Sequence, residues 1–177
     1  MSATNPHNQS PPIVLVTDDD RDLVHILMRF LSQQGMVVIP AYSGRQCLEI
    51  IRQGTPIDAL ILDLEMPEIG GLEVCAALKA TAPAVPIIVL TAKDNLETRL
   101  AAMRSGASEF MLKPVRGQEL LARVRTQIEV SQRFRDVEQA LTVAEGAPVS
   151  KKKVATTFLS PISMKKRKAV ELRPQEL

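Results

Sequence analysis

Ile13-Val14-Leu15-Val16-Thr17-Asp18-Asp19-Asp20 is a run of aliphatic and β-branched residues that stops abruptly in three carboxylates. A strand covered on both faces reads as a continuous apolar run, and polar groups appear where it surfaces at its carboxyl end. The period then changes. Leu23, Ile26, Leu27, Phe30 and Leu31 recur at helical spacing up to Gly35, a residue able to close a helix in the left-handed conformation. The stretch therefore reads as a buried strand followed by an amphipathic helix.

The same alternation continues outward. Met36–Pro40 reads as a second strand, and Ser43 as the N-cap of a helix with Leu48 and Ile51 on its inner side and Gly54 as its stop. Ala59–Leu62 is the most continuous apolar strand and ends at Asp63. A loop from Met66 to Gly71 leads into a helix with Leu72, Cys75 and Ala76, and Pro83 and Pro86 bracket the next turn. Ile87–Leu90 ends at Thr91, a helix with Leu96, Leu100 and Met103 stops near Gly106, and Glu109–Leu112 precedes Lys113-Pro114, which opens the last helical segment.

Five strand-helix units in about 120 residues require a parallel sheet, because each right-handed crossover returns the chain to the same end. The expected fold is α/β, a doubly wound three-layer sandwich with helices on both faces of a five-stranded parallel sheet. Periodicity does not give the strand order; the flavodoxin-like order 2-1-3-4-5 is the common solution for five strands. In such sheets the reactive crevice lies at the carboxyl ends of the strands.

The totals agree with one folded domain and an appendage. Of 177 residues, 45% are hydrophobic and 24% charged, the balance of a globular protein; aromatics are 3% with no Trp, which argues against stacking platforms for single-stranded nucleic acid. Cys47 and Cys75 have neither metal-ligand nor redox spacing and read as small buried hydrophobes. No apolar run approaches the roughly 18 residues of a membrane span, and the expected location is the cytoplasm. Residues 1–11, with Pro6 and Pro11, read as a disordered leader, 12–130 as the domain, 131–146 as a helical extension and 147–177 as a basic, disordered tail.

At the predicted carboxyl edge stand Asp18 and Asp19 after the first strand, Asp63 after the third, Thr91 after the fourth and Lys113 after the fifth. Taken singly, each has an ordinary reading: an Asp or Thr caps a helix, and a lysine is solvated. Their joint placement is what those readings leave unexplained. Carboxylates gathered in one crevice repel unless a cation sits between them, and oxygen ligands of this kind suit Mg²⁺ or Mn²⁺. Asp63 is then a candidate nucleophile toward phosphorus, with Lys113 and the Thr91 hydroxyl as donors to phosphoryl oxygens.

Together, Val14-Leu15-Val16-Thr17-Asp18-Asp19-Asp20, Asp63-Leu64-Glu65-Met66-Pro67 with Gly71, Leu90-Thr91-Ala92-Lys93 and Lys113-Pro114 resemble the response regulator receiver domain of two-component signalling, over roughly residues 12–130. The resemblance implies that Asp63 takes a phosphoryl group from a sensor histidine kinase or a histidine phosphotransfer protein. It also implies a metal bound by Asp18, Asp19, Asp63 and the backbone carbonyl of Glu65, a cis bond before Pro114, and a switch in which Thr91 and Phe110 move together. Glu65 and Lys93 flank the site in similar proteins and are placed to pair across its mouth. The partner downstream is unknown, and such a domain is a phosphoacceptor, not a turnover enzyme.

Two rivals share the topology. Haloacid-dehalogenase-like phosphatases use an Asp after the first strand and a second carboxylate two positions on, a spacing met by Asp18 and Asp20, but this reading leaves Asp63 without a task. Flavin binding needs a glycine- and hydroxyl-rich loop where this chain has carboxylates.

Beyond the domain, Val130, Phe134, Val137 and Leu141 recur four and three residues apart, which leaves two readings open: a coiled-coil homodimer through the last helix, or an unpaired amphipathic helix. Residues 150–177 hold eight Lys or Arg against two Glu. That charge permits non-specific contact with nucleic acid, an acidic protein or anionic lipid, although a solvated run is expected and nucleic-acid binding is not favoured. No helix-turn-helix, winged, cyclase or phosphodiesterase domain fits in the remaining residues, so a stand-alone domain is expected.

Overall fold

The computed structural model of the chain describes residues 10–144. Its five apolar runs form strands β1 (Ile13–Thr17), β2 (Val37–Ala41), β3 (Ala59–Asp63), β4 (Ile87–Thr91) and β5 (Glu109–Leu112). Between and after them lie α1 (Arg21–Gln33), α2 (Gly44–Arg52), α3 (Gly71–Thr81), α4 (Leu96–Arg104) and α5 (Gly117–Ala144). Among the described residues, 10–138 belong to one compact unit; of the following residues, 139–144 are described and are helical. The expected basic tail lies outside the described residues, as does most of the leader.

All five strands are parallel and lie in the order β2-β1-β3-β4-β5. The chain winds outward from β1 to β2, then crosses to the other side of β1 to lay down β3. The carboxyl ends of β1 and β3 therefore become neighbours at the switch point, where a crevice opens. Pro40 is tolerated in β2 because that strand lies at the sheet edge, where a missing N–H need not break a ladder.

Continuous apolar strands feed two cores, because successive side chains point to opposite faces. Val14, Val16, Ile61, Ile88 and Leu90 pack with Val24, Leu27 and Leu31 of α1 and Leu120, Leu121, Val124 and Ile128 of α5. Leu15, Leu60, Leu62, Ile87 and Val89 pack with Cys47 of α2, Val74, Cys75 and Leu78 of α3 and Ala102 of α4. Burial pushes the Cys47 thiol up to about 11 and the Cys75 thiol up to about 12, which leaves both as inert packing groups.

Helix ends follow the sequence signals. Asp20 caps α1, the Ser43 hydroxyl accepts from Gln46 N at 3.2 Å, and Asn95 Oδ1 accepts from Thr98 N at 2.7 Å. Gly35, Gly54 and Gly106 take positive φ values of 84°, 72° and 106° after α1, α2 and α4.

Two apolar stripes face differently from their sequence reading. In α1 the inward residues are Val24, Leu27 and Leu31, while Ile26 is 64% exposed. Two positions from Val24 along the chain is about 200° around the helix, so both side chains cannot face the sheet. In α4 the stripe that identifies the helix, Leu96, Leu100 and Met103, points to solvent, and Ala102 is the residue buried against the sheet. A small residue at that contact lets the backbone approach closely; the large ones are left on the outside.

Gly71 opens α3 directly behind the end of β3. A Cβ there would lie 2.3 Å from the Asp63 carbonyl oxygen and 2.7 Å from Leu64 Cα, both backbone atoms, whereas a Cβ on Gly70 would meet Leu64 O at 3.7 Å. Gly71→Ala is therefore expected to lower stability by about 2 kcal/mol through overpacking, and Gly70→Ala by less than about 1 kcal/mol, read as urea midpoints. Equal effects of the two substitutions would contradict this.

Candidate functional site

Strand register assembles the site. Thr17 pairs with Leu62, Asp63 with Leu90, and Thr91 with Leu112. The residues one step beyond these strands, Asp18 and Lys113, thus emerge beside Asp63. Backbone bonds continue the ladders past the strand ends: Asp18 N donates to Ala41 O at 3.2 Å, Leu64 N to Leu90 O at 3.2 Å and Lys113 N to Thr91 O at 2.8 Å.

Asp18 and Asp63 are each 2% exposed, and Asp19 faces solvent at the rim. Lys113 Nζ donates to Asp18 Oδ2 at 2.7 Å and lies 3.0 Å from Asp63 Oδ1. The second contact is an ion pair without an aligned hydrogen bond, so Asp63 Oδ1 is buried with no donor. Asp63 Oδ2 accepts from Glu65 N at 3.0 Å, and Asp18 Oδ1 from Asp20 N at 3.0 Å. The peptide bond between Lys113 and Pro114 is cis.

The other residues singled out in the sequence surround this centre. Thr91 is fully buried, and its hydroxyl oxygen accepts from Lys93 N at 3.1 Å, which leaves its proton for another acceptor. Lys93 Nζ and Glu65 Oε1 form an ion pair at 2.8 Å. Phe110 is partly buried in β5, three positions before Lys113. The Arg99 guanidinium lies over its ring, 5.0 Å from the centroid, and pairs with Asp94 at 3.7 Å. Sequence reasoning gave no sign of Arg99, since an exposed arginine on a helix carries no motif. Asp20 stands apart from the cluster: its Oδ1 caps α1 by accepting from Asp22 N at 3.0 Å and Leu23 N at 3.1 Å.

Charge in the crevice is unbalanced. Burial raises the Asp63 carboxyl above its ordinary value, and the Asp18 charge adds to this; Lys113 and Glu65 N act in the opposite sense without cancelling it. Burial alone would lower Lys113, but its hydrogen bond to Asp18 and the charges of Asp63 and Asp18 hold its ammonium above the usual range. Asp18, Asp19 and Asp63 each bring an oxygen within 4.8 Å of the others. An all-oxygen donor set with one buried acceptor lacking a donor fits a hard divalent cation such as Mg²⁺.

The raised Asp63 carboxyl has a measurable consequence. A carboxyl raised on folding favours its neutral form in the native state, so its contribution is most favourable below the ordinary value of 3.8 and is lost as pH rises through the folded value. In chelator at pH 7, Asp63→Asn is expected to be more stable than wild type by about 1 kcal/mol, with the gain shrinking toward pH 4. Thermal melts across pH check this; a loss of stability, or a gain that does not vary with pH, would contradict it.

Comparison with known proteins fits this geometry. The family profile described as "Response regulator receiver domain" matches residues 14–125. Response regulator MprA of Mycobacterium ulcerans (strain Agy99) is 43% identical over 131 residues, 74% of this chain and 56% of that protein. MprA of Mycobacterium bovis (strain BCG / Pasteur 1173P2) is 45% identical over 112 residues, 63% of this chain and 48% of that protein. The chain spans about half the length of these curated relatives. The receiver domain of Francisella response regulator 1452 matches with a TM-score of 0.64 at 27% identity, over 68% of this chain and 98% of that one. A CheY-like receiver domain protein from Methanospirillum hungatei JF-1 shares the fold, with a TM-score of 0.68 at 22% identity, over 71% of this chain and 99% of that one. Matched over more than half its length, and folded as those structures are, this chain belongs to the response regulator receiver domain family of two-component signalling.

Proposed function

We propose that Asp63 accepts a phosphoryl group from a phosphohistidine on a sensor histidine kinase or histidine phosphotransfer protein. The observation that carries this reading is the buried Asp63 Oδ1, which lacks a hydrogen-bond donor yet faces Lys113 and two further acids. Asp18, Asp19, Asp63 and the Glu65 backbone carbonyl would hold Mg²⁺ or Mn²⁺. When bound, the cation neutralises charge on the acids and on the phosphoryl oxygens.

A carboxylate oxygen of Asp63 attacks phosphorus in line; the phosphorus–nitrogen bond breaks as the phosphorus–oxygen bond forms, and the imidazole leaves with the electron pair. Lys113 already spans Asp18 and Asp63, so a small movement of its flexible stem turns one donation toward a phosphoryl oxygen. Thr91 supplies its hydroxyl proton to another. The domain acts once per phosphoryl group as an acceptor, not as a turnover enzyme. Its output is a changed protein contact, in which Thr91 moves toward the phosphoryl group, Phe110 turns inward and Arg99 loses its ring partner. Leu96, Leu100 and Met103 of α4, with Leu112 of β5, give the neighbouring surface an apolar contact for a downstream protein.

The phosphatase alternative loses its second carboxylate, because Asp20 is committed to capping α1 and lies outside the acidic cluster. Incubation with acetyl phosphate and Mg²⁺ is expected to add one hydroxylamine-labile phosphoryl group to wild type by intact mass, and none to Asp63→Asn or to wild type in chelator. An equal adduct on Asp63→Asn, or turnover of a phosphate monoester that Asp18→Asn alone abolishes, would overturn the proposal. Mg²⁺ at ten times its dissociation constant should stabilise the fold by about 1.4 kcal/mol, and Asp19→Asn should remove most of that gain.

A further inference from the structure

Helix α5 has a receiver-facing side that does not end with the apolar core. After Leu120, Leu121, Val124 and Ile128, the same side continues with Ser131, whose hydroxyl donates to Ala84 O, and Arg135, which pairs with Asp58 at 3.5 Å and donates to Ser131 Oγ at 3.2 Å. Asp58 is itself fixed, accepting from Ile13 N at 2.9 Å. This polar clip sets the rotation of the helix. It also lies at the amino ends of β3 and β4, the end of the sheet opposite Asp63 and Thr91.

With the rotation set, Val130, Phe134 and Val137 project from a different side, about 120° around the helix from the clip. They are 43%, 72% and 59% exposed. Their spacing of four and three residues is that of d, a and d positions in a heptad, and the sequence continues it at Leu141. We propose that two copies of this chain pair in parallel along this stripe of α5.

Charge favours a second copy over an unrelated partner, and a parallel pairing over an antiparallel one. In this register Arg133 is a g position and Glu138 the e position that follows it. A parallel pair sets Arg133 of each copy against Glu138 of the other, opposite charges on both flanks; an antiparallel pair sets g against g, arginine against arginine. Arg133 now pairs with Glu129 within the helix, but both side chains are largely exposed and such a pair is weak, so it re-pairs at little cost. The stripe is short, and the expected state is a monomer–dimer equilibrium, not a permanent dimer. It leaves the carboxyl edge open and does not depend on phosphorylation of Asp63.

Sedimentation of the full chain over a range of concentrations tests the proposal. Wild type is expected to show a reversible dimer, and Phe134→Glu to raise the dissociation constant at least about tenfold while keeping its phosphoryl adduct, which separates this proposal from the preceding one. Arg133→Glu is expected to weaken the dimer and Arg133→Glu with Glu138→Arg to restore it. Val137→Cys should cross-link between copies under mild oxidation, as facing d positions do in a parallel pair. Three results would each overturn the proposal: a monomer at every concentration, loss of the dimer on Leu100→Glu but not on Phe134→Glu, or no cross-link through Val137→Cys.

Discussion

Lys113 reaching both Asp18 and Asp63 is the contact on which the rest of the molecule converges. The lysine is 95 residues from Asp18 in the chain, and only a parallel sheet brings the ends of β1, β3 and β5 to one edge. The strand order adds the second requirement. Because β3 lies beside β1, the two acids face one another across the switch point; on an edge strand Asp63 would stand alone. One ammonium cannot balance the acids clustered there. The fold thus keeps a carboxylate in surroundings that disfavour its charge, an imbalance of the sign that a divalent cation would offset.

The two ends of the sheet do different work. The carboxyl ends carry the acids, Thr91 and Lys113. The amino ends carry the Asp58, Arg135 and Ser131 contacts that hold α5 in one orientation. Between them, the surface beside Phe110 is made by a helix whose inward contact is mainly Ala102 and whose large side chains face out. A helix with little of its apolar surface buried has few contacts opposing its displacement, which suits the switch proposed for Thr91 and Phe110.

Much of this was legible in the sequence because the signals were local. Four of the strands could be read from an apolar run followed by a polar residue, one helix start from Ser43, and the ends of α1, α2 and α4 from a glycine with freedom to take positive φ. The site was legible because parallel topology turns strand ends into neighbours, so Asp18, Asp63, Thr91 and Lys113 needed no knowledge of contacts. What was not legible depends on depth and direction. Leu96, Leu100 and Met103 have the same period whether they face the sheet or the solvent, and the deciding residue, Ala102, carries no hydrophobic signal of its own. Ile26 and Val24 were likewise interchangeable until the sheet fixed which side of α1 it covers. Arg99 over Phe110 and Arg135 on Asp58 join positions 11 and 77 residues apart with no pattern to announce them.

Reductive trapping is the most direct test of whether the acidic cluster makes Asp63 reactive toward phosphorus. After incubation with a small phosphodonor and Mg²⁺, borohydride converts an aspartyl phosphate to homoserine, and peptide mass spectrometry locates it. The expected result is homoserine at position 63 in the presence of Mg²⁺ and none in chelator. Homoserine at another aspartate, or equal conversion at position 63 without a divalent cation, would contradict it.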